Sequence, residues 1–123
     1  MALMAALVMV GCGGSSKSVN VDQVFADMFS IMDRFSEKAE KAIDEYRSEE
    51  FVQAFEEFSD DIYELKGDIE SLKGNSEVEK YFTDFMNRRS GFESLCNKAE
   101  RKLSLSSSQM KRLENAAAQI DGF

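Results

Sequence analysis

The chain has 123 residues, contains no histidine, proline or tryptophan, and carries a formal net charge of −8. Its length predicts a single domain with one modest core, and its acidic charge disfavours a nucleic-acid partner. Because histidine is absent, this chain cannot form a Ser-His-Asp triad, a Cys/His pair or an imidazole-ligated metal site.

The chain opens with an apolar run from Met1 to Val10, which is followed by Gly11 and Cys12. Glycine, serine and asparagine are then frequent up to Asn20. This layout is typical of a secretory signal that ends at a small residue. The apolar run is shorter than the roughly twenty residues that a membrane-spanning helix needs, so we do not expect it to be a retained anchor.

The stretch Leu7–Cys12 resembles the lipobox of bacterial lipoproteins, which has an aliphatic residue, a variable small residue, Gly or Ala, and an invariant cysteine. Gly11 and Cys12 match this pattern, whereas Met9 stands where leucine is preferred. The resemblance implies cleavage between Gly11 and Cys12, and fatty acylation of Cys12 and of the new amino terminus. It also implies a membrane-anchored place in the bacterial cell envelope. By the same resemblance, Gly13 in place of aspartate after the cysteine implies the outer membrane in a Gram-negative organism.

One part of such a signal is missing from the printed sequence. The first basic residue is Lys17, so no positive charge precedes the apolar run. This absence favours a start further upstream or a misassigned start, and it leaves an apolar N-terminal helix as the alternative interpretation. Stable membrane attachment needs two signals, which the two or three acyl chains implied by the resemblance would supply.

We therefore predict three segments: a signal peptide at residues 1–11, the lipidated Cys12 with a flexible tether at 12–20, and a helical domain at 21–123. The tether is predicted from its glycine and serine content. The absence of proline and the abundance of Glu, Lys, Ala and Leu favour long helices in the remainder. No stretch shows the two-residue alternation of a strand.

The first predicted helix starts at Val21 and carries apolar residues at alternating steps of four and three up to Tyr46. This spacing predicts one apolar seam along the helix. Phe29 lies beside the seam and widens the apolar face, which favours either several neighbours or a partner groove. The seam breaks after Tyr46, where we expect a tight turn with Ser48 as the cap of the next helix. A single long kinked helix is the alternative.

The second predicted helix carries a similar seam from Phe51 to Leu72. Its expected end is Lys73-Gly74-Asn75, since a basic last turn followed by glycine is a typical helix stop. Ser76 and Glu79 then have the spacing of a capping box for a third helix.

The third predicted helix has its inward lane from Val78 to Leu103, including Phe82 and Cys96. Cys96 is interpreted as a small buried residue that forms no internal disulfide when Cys12 is lipidated. Arg89 interrupts the lane, which predicts a bend or a side chain that extends to solvent. A functional alternative makes Arg88 and Arg89 an anion or partner contact.

A fourth, shorter helix is predicted after Ser106, because Ser106 and Gln109 repeat the capping-box spacing. Its expected inward residues are Met110, Leu113, Ala117 and Ile120. Its length suits a lid over the first helix. Together these elements predict an all-α fold: an antiparallel three-helix bundle with a shorter fourth C-terminal helix, preceded by the signal peptide and tether.

The charge is divided unevenly along the helical domain. Residues 21–71 contain 16 acidic and 5 basic side chains, whereas residues 72–123 contain 7 and 9. We interpret the acidic helices as solvated faces beside a mildly basic one. The alternative is an acidic surface that binds cationic envelope proteins in the manner of a chaperone or inhibitor.

No motif for catalysis, phosphate binding or a cofactor occurs, so we expect a non-enzymatic protein without a cofactor or a metal site. The predicted function is that of a lipid-anchored envelope lipoprotein whose helical domain is an interaction or structural module for another envelope protein. Phe29, Arg88 and Arg89 are the candidate partner contacts. A bundle that holds an apolar ligand among its many phenylalanines is the alternative.

Overall fold

The computed structural model describes residues 20–121, which form helices joined by short connections. Five of these are α-helices, and a 3₁₀-helix at Ser76–Tyr81 precedes the fourth. The α-helices are α1 (Val21–Asp44), α2 (Ser48–Glu64), α3 (Lys66–Ser71), α4 (Phe82–Lys102) and α5 (Ser107–Gln119). No strand occurs between residues 20 and 121, which confirms the all-α prediction.

The turn between α1 and α2 lies at Glu45–Arg47, close to the predicted position. The Arg47 amide donates to the Ala42 carbonyl at 2.8 Å, and the Tyr46 amide donates to Ile43 at 3.1 Å. These two bonds close the helix as a Schellman motif. Tyr46 occupies the left-handed position, with φ at 55°, although glycine is usual there.

Ser48 does not cap α2, contrary to the prediction. It is the first residue of the helix, and its hydroxyl donates to the Ser104 carbonyl at 3.3 Å. Arg47 holds the cap position without a side-chain cap bond. The serine therefore connects the start of α2 to the segment before α5, a contact between distant parts of the sequence.

The predicted second helix is divided at Leu65. Ile69 and Leu72 continue its apolar seam beyond the break and are fully buried. The break lies two residues before Gly67, whose low helix propensity weakens the helix by roughly 1 kcal/mol relative to alanine. The predicted stop is confirmed at Gly74, which adopts a positive φ of 82°.

The capping box predicted at Ser76 and Glu79 is wrong. The Asn75 side chain accepts the Glu77 amide at 2.9 Å, and the chain then forms the 3₁₀-helix instead of entering α4 directly. Tyr81 ends this segment with its ring stacked on Phe25 at 4.5 Å, and its hydroxyl donates to the Asp22 carboxylate. The 3₁₀-helix is thereby held against the start of α1.

The core is built from the faces of α1, α2 and α4. The Phe35 ring lies at its centre, with centroid distances of 4.9 Å to Phe92, 5.3 Å to Phe58, 5.9 Å to Phe55 and 6.1 Å to Phe51. Phe82 was predicted to point inward, yet it is 45% exposed. The aromatic seams of three helices thus meet around one ring.

Helix α5 packs against α2 and does not form the predicted lid over α1. Its capping box is confirmed, since Ser106 accepts the Gln109 amide at 3.1 Å and Gln109 accepts the Ser106 amide at 3.0 Å. Ala116 and Ile120 are buried against the core, whereas Met110, predicted inward, is 52% exposed. Leu113 and Ala117, also predicted inward, are partly buried against the core, so the predicted inward face of α5 is confirmed except at Met110.

None of the helices between residues 20 and 121 is both long and apolar enough to cross a membrane.

Candidate functional site

The predicted lipidation site, Cys12, and the predicted cleavage position after Gly11 lie outside the described residues. The lipid anchor therefore stays a prediction from the sequence. The candidate sites that the structure does place are the aromatic-arginine contact on α1 and α4, and the surface along α4 that faces α5.

Phe29 and Arg88 come together at the interface of α1 and α4. The Arg88 guanidinium lies 4.1 Å from the centre of the Phe29 ring. Its Nε and Nη2 donate to the two carboxylate oxygens of Asp33 at 3.0 and 3.3 Å. This bidentate ion pair with a cation–π contact holds the two helices together. A partner role for Phe29 and Arg88 stays a prediction, beside this internal role.

Arg89 points away from that contact. Helix α4 continues through Arg89 without interruption, and the guanidinium pairs with Glu93 one turn later at 3.1 Å. Both side chains border a cavity of about 300 Å³ whose wall includes Met32 and Phe92. The arginine therefore lies at the edge of an apolar surface, with its charge offset by a neighbouring carboxylate.

A second cavity, of about 330 Å³, lies between α4 and α5. Phe51 and Phe55 of α2 form its floor, and its walls are mainly apolar. Those walls include Cys96, Ala99, Leu105, Met110, Leu113 and Ala117. Phe55 and Cys96 line both cavities, so the two cavities meet at this pair. We call the second cavity together with this junction the α4–α5 groove.

Cys96 lies where the two cavities meet and forms no disulfide with any residue between 20 and 121. Burial, together with the negative charge of Glu100, raises the pKa of the Cys96 thiol to about 12. The thiol is accordingly protonated at neutral pH and is a poor nucleophile. Its environment fits the interpretation as a small apolar residue.

The acidic start of α2 is joined to α5 by one arginine. Arg112 Nη1 donates to both carboxylate oxygens of Glu49 at 2.8 Å, and its Nε and Nη2 donate to Glu56 at 3.1 and 2.6 Å. Hydrogen bonds donated by Arg112 and Gln109 lower the pKa of Glu49, and the hydrogen bonds that Arg112 donates to Glu56 and Glu49 raise the pKa of Arg112. We call this group the Arg112 clamp.

The Arg112 clamp changes the interpretation of the acidic face. Glu49 and Glu56 remain substantially exposed, as expected of a solvated face, and both also hold α5 in place. Within residues 20–121, no group of three or more carboxylates and thiols is arranged to hold a metal ion.

Ser59 is a structural residue that the sequence analysis missed. It is fully buried in α2 and donates a hydrogen bond of 2.7 Å to the Ala116 carbonyl near the end of α5, with Gln119 Oε1 also within 3.2 Å. The last carbonyls of a helix lack partners within the helix. The available signal was the position of Ser59 on the inward face of α2, next to the buried Phe58 and between Phe55 and Ile62.

Comparison with known protein families, curated proteins and solved structures gives no match.

Proposed function

We propose that this chain is a lipid-anchored lipoprotein of the bacterial cell envelope, and that its helical domain is a non-enzymatic interaction module. The observation that carries the proposal is the stretch Leu7–Cys12, with small Gly11 before the cysteine. Acyl chains on Cys12 would hold the domain at a membrane surface, the outer membrane in a Gram-negative organism. Confinement to one surface raises the effective concentration of the domain towards partners there.

We also propose that α1, α2 and α4 form an antiparallel three-helix bundle, with α5 as the shorter fourth helix. The ion pairs Arg34–Asp61 and Lys38–Glu57 support opposite directions for α1 and α2, because the residue numbers change in opposite senses. The pairs Asp33–Arg88 and Asp44–Lys98 support a common direction for α1 and α4. Such an up-down-up order is expected when three helices follow one another through short connections.

The interaction role is supported by the α4–α5 groove. Its apolar walls include side chains that remain partly or largely exposed, such as Leu113 and Met110. Exposed apolar surface of this kind is typical of sites that bind another molecule. An envelope protein that presents a helix to this groove is the partner that the surface fits best.

A second candidate function is the binding of an apolar ligand, which the same groove favours. The measurement is native mass spectrometry of the protein purified from membranes. A constant added mass that is lost on extraction with organic solvent would support this alternative. The bare acylated mass would contradict it.

Binding of cationic proteins through the acidic face of α2 has weaker support. Five carboxylates of this helix already have cationic partners within the fold: Glu49 and Glu56 pair with Arg112, Glu50 with Arg47, Glu57 with Lys38, and Asp61 with Arg34. A surface with most of its charge compensated attracts a cation less strongly.

The anchor is tested by Cys12→Ser in cells. We expect the wild-type chain in the membrane fraction with incorporated labelled palmitate, and the variant without label and outside the membrane-anchored fraction. Cys96→Ser is the matched control, and it should leave both labelling and membrane attachment unchanged. Palmitate labelling or unchanged attachment of Cys12→Ser would show that the lipobox interpretation is wrong.

A further inference from the structure

The α4–α5 groove exists because its two walls pack on different neighbours. Helix α4 packs against α1, and α5 packs against α2. Leu105 lies in the short connection between them and is only partly buried. The apolar sides of α4 and α5 that face each other are therefore incompletely covered by the described chain, with α2 forming the floor between them.

The charges at the groove define the kind of molecule that would fit it. Glu100 of α4 and Glu114 of α5 line the two walls, and both are exposed. Neither takes part in an ion pair or a hydrogen bond among the described residues, and no lysine or arginine lines this cavity. A carboxylate or phosphate headgroup would be repelled here, whereas a cation would meet two uncompensated carboxylates.

We propose that the α4–α5 groove binds an amphipathic helix of a partner envelope protein, with an apolar stripe flanked by lysine or arginine. The apolar stripe would lie on Phe51, Leu113 and Met110, and the basic residues would pair with Glu100 and Glu114. This inference rests on the proposed function and specifies the surface and the chemistry of its partner.

The length of the surface agrees with a short helix. Phe55 and Cys96 line both cavities, so the open surface continues from the groove into the first cavity. From Arg89, at the far edge of the first cavity, to Glu100 the helix α4 rises by about 17 Å, which corresponds to roughly three turns of a helix laid alongside it. A partner helix of three turns would place its apolar side chains at positions i, i+3 or i+4, i+7 and i+11 against this surface. Arg89 is no obstacle to a basic partner, because Glu93 pairs with it at 3.1 Å.

The test uses the full acylated protein in nanodiscs of neutral phosphatidylcholine, because detergent would compete for the groove. The probe is a fluorescent helical peptide of roughly fourteen residues, with leucine at the positions above and lysine on both sides. Fluorescence anisotropy measures its binding, and discs without protein give the background. We expect saturable binding to the protein that weakens severalfold in about 0.5 M salt.

Two variants locate the site. Glu100→Gln/Glu114→Gln removes the wall charges and should weaken binding about fivefold, as expected for two rim ion pairs. Met110→Ser removes exposed apolar surface and should also weaken it about fivefold. The matched control is Glu37→Gln/Glu40→Gln, which changes the net charge equally at exposed positions of α1 that line neither cavity. This control should bind like the wild type.

Several results would overturn the inference. They are no binding above empty discs, equal binding of a peptide with glutamate in place of lysine, salt-independent binding, or equal weakening by the control variant. Each concerns the groove and leaves the fractionation of Cys12→Ser unaffected. Failure of the groove inference is therefore distinguishable from failure of the proposed lipid anchor.

Discussion

At the scale of single residues, Ser59 shows how one buried hydroxyl positions a helix. It is the only buried polar side chain among the described residues, and it bonds to the Ala116 carbonyl at 2.7 Å. The end of α5 thereby obtains a partner for a carbonyl that has none within its own helix. Every buried side-chain nitrogen or oxygen between residues 20 and 121 has a hydrogen-bond partner, and the Ser59 hydroxyl obtains its partner through this contact.

We expect Ser59→Ala to reduce the free energy of unfolding by about 1–3 kcal/mol, because the Ala116 carbonyl would remain buried without its donor. Urea unfolding followed by circular dichroism measures the change. The control is Ser71→Ala, which removes a hydroxyl that bonds to the Gly67 carbonyl at an exposed position. Water can replace that bond, so this variant should stay within about 0.5 kcal/mol of the wild type. An equal effect of the two variants would contradict the assigned role of Ser59.

At the scale of elements, α5 is attached to α2 by contacts at both of its ends. The Arg112 clamp joins its first half to Glu49 and Glu56, and Ser59 holds its last turn. Such bidentate arginine pairs are directional and fix the helix in one register. These pairs, the Ser59 bond and the burial of Ala116 and Ile120 together hold α5 on α2, although the apolar face of α1 was the predicted place for it.

The Arg112 clamp should make stability depend on pH. Because hydrogen bonds with Arg112 and Gln109 lower the pKa of Glu49 in the folded protein, the ionised carboxylate contributes stability above its ordinary pKa of 4.5. This contribution is lost as the pH falls through the lowered folded value. We therefore expect Glu49→Gln to be less stable than the wild type at pH 7, with the difference shrinking below about pH 4.

Thermal unfolding of both proteins between pH 7 and pH 3 measures this convergence. Glu64→Gln, at an exposed carboxylate near the end of α2, is the matched control and should follow the wild type throughout. A constant difference between Glu49→Gln and the wild type over this range would show that the charge of Glu49 does not contribute through Arg112.

At the scale of the whole molecule, stability depends on the aromatic cluster where α1, α2 and α4 meet. The Phe92 ring lies 4.9 Å from both Phe35 and Phe58, and 5.9 Å from Phe55. Rings at these separations add specific contacts to the burial of apolar area. The cluster joins helices that are distant in sequence, so the fold should unfold cooperatively when it is disrupted.

Phe92→Ala should destabilise the protein by about 3–5 kcal/mol, since it removes a buried ring and leaves a cavity next to Phe35. Phe82→Ala is the matched control, because it makes the same change on the same helix at a side chain that is 45% exposed. We expect the control to cost less than about 1 kcal/mol. Urea unfolding monitored by circular dichroism compares the two, and similar losses would contradict the central place of this cluster.

The positions of the helices could largely be predicted from the sequence, because they depend on local chemistry. The four-three spacing of apolar residues predicted α1 and α2, Gly74 predicted the stop before the 3₁₀-helix, and Ser106 with Gln109 predicted the start of α5. Most of the aromatic core was also predictable, because rings at helical spacing share one face of a helix, and Phe82 is the exception. The lipid anchor at Cys12 is also predicted from the sequence, and it stays a prediction because Cys12 lies outside the described residues.

The tertiary structure alone decided how the helices pair and which surface stays open. Periodicity defines the apolar face of a helix but not the neighbour that covers it, so the packing of α5 on α2 through Ser59 and Arg112 could not be predicted. The exposure of Phe82 and Met110 has the same cause. The α4–α5 groove forms only when α4 packs on α1 and α5 packs on α2, because these two contacts between distant parts of the sequence leave a space between α4 and α5.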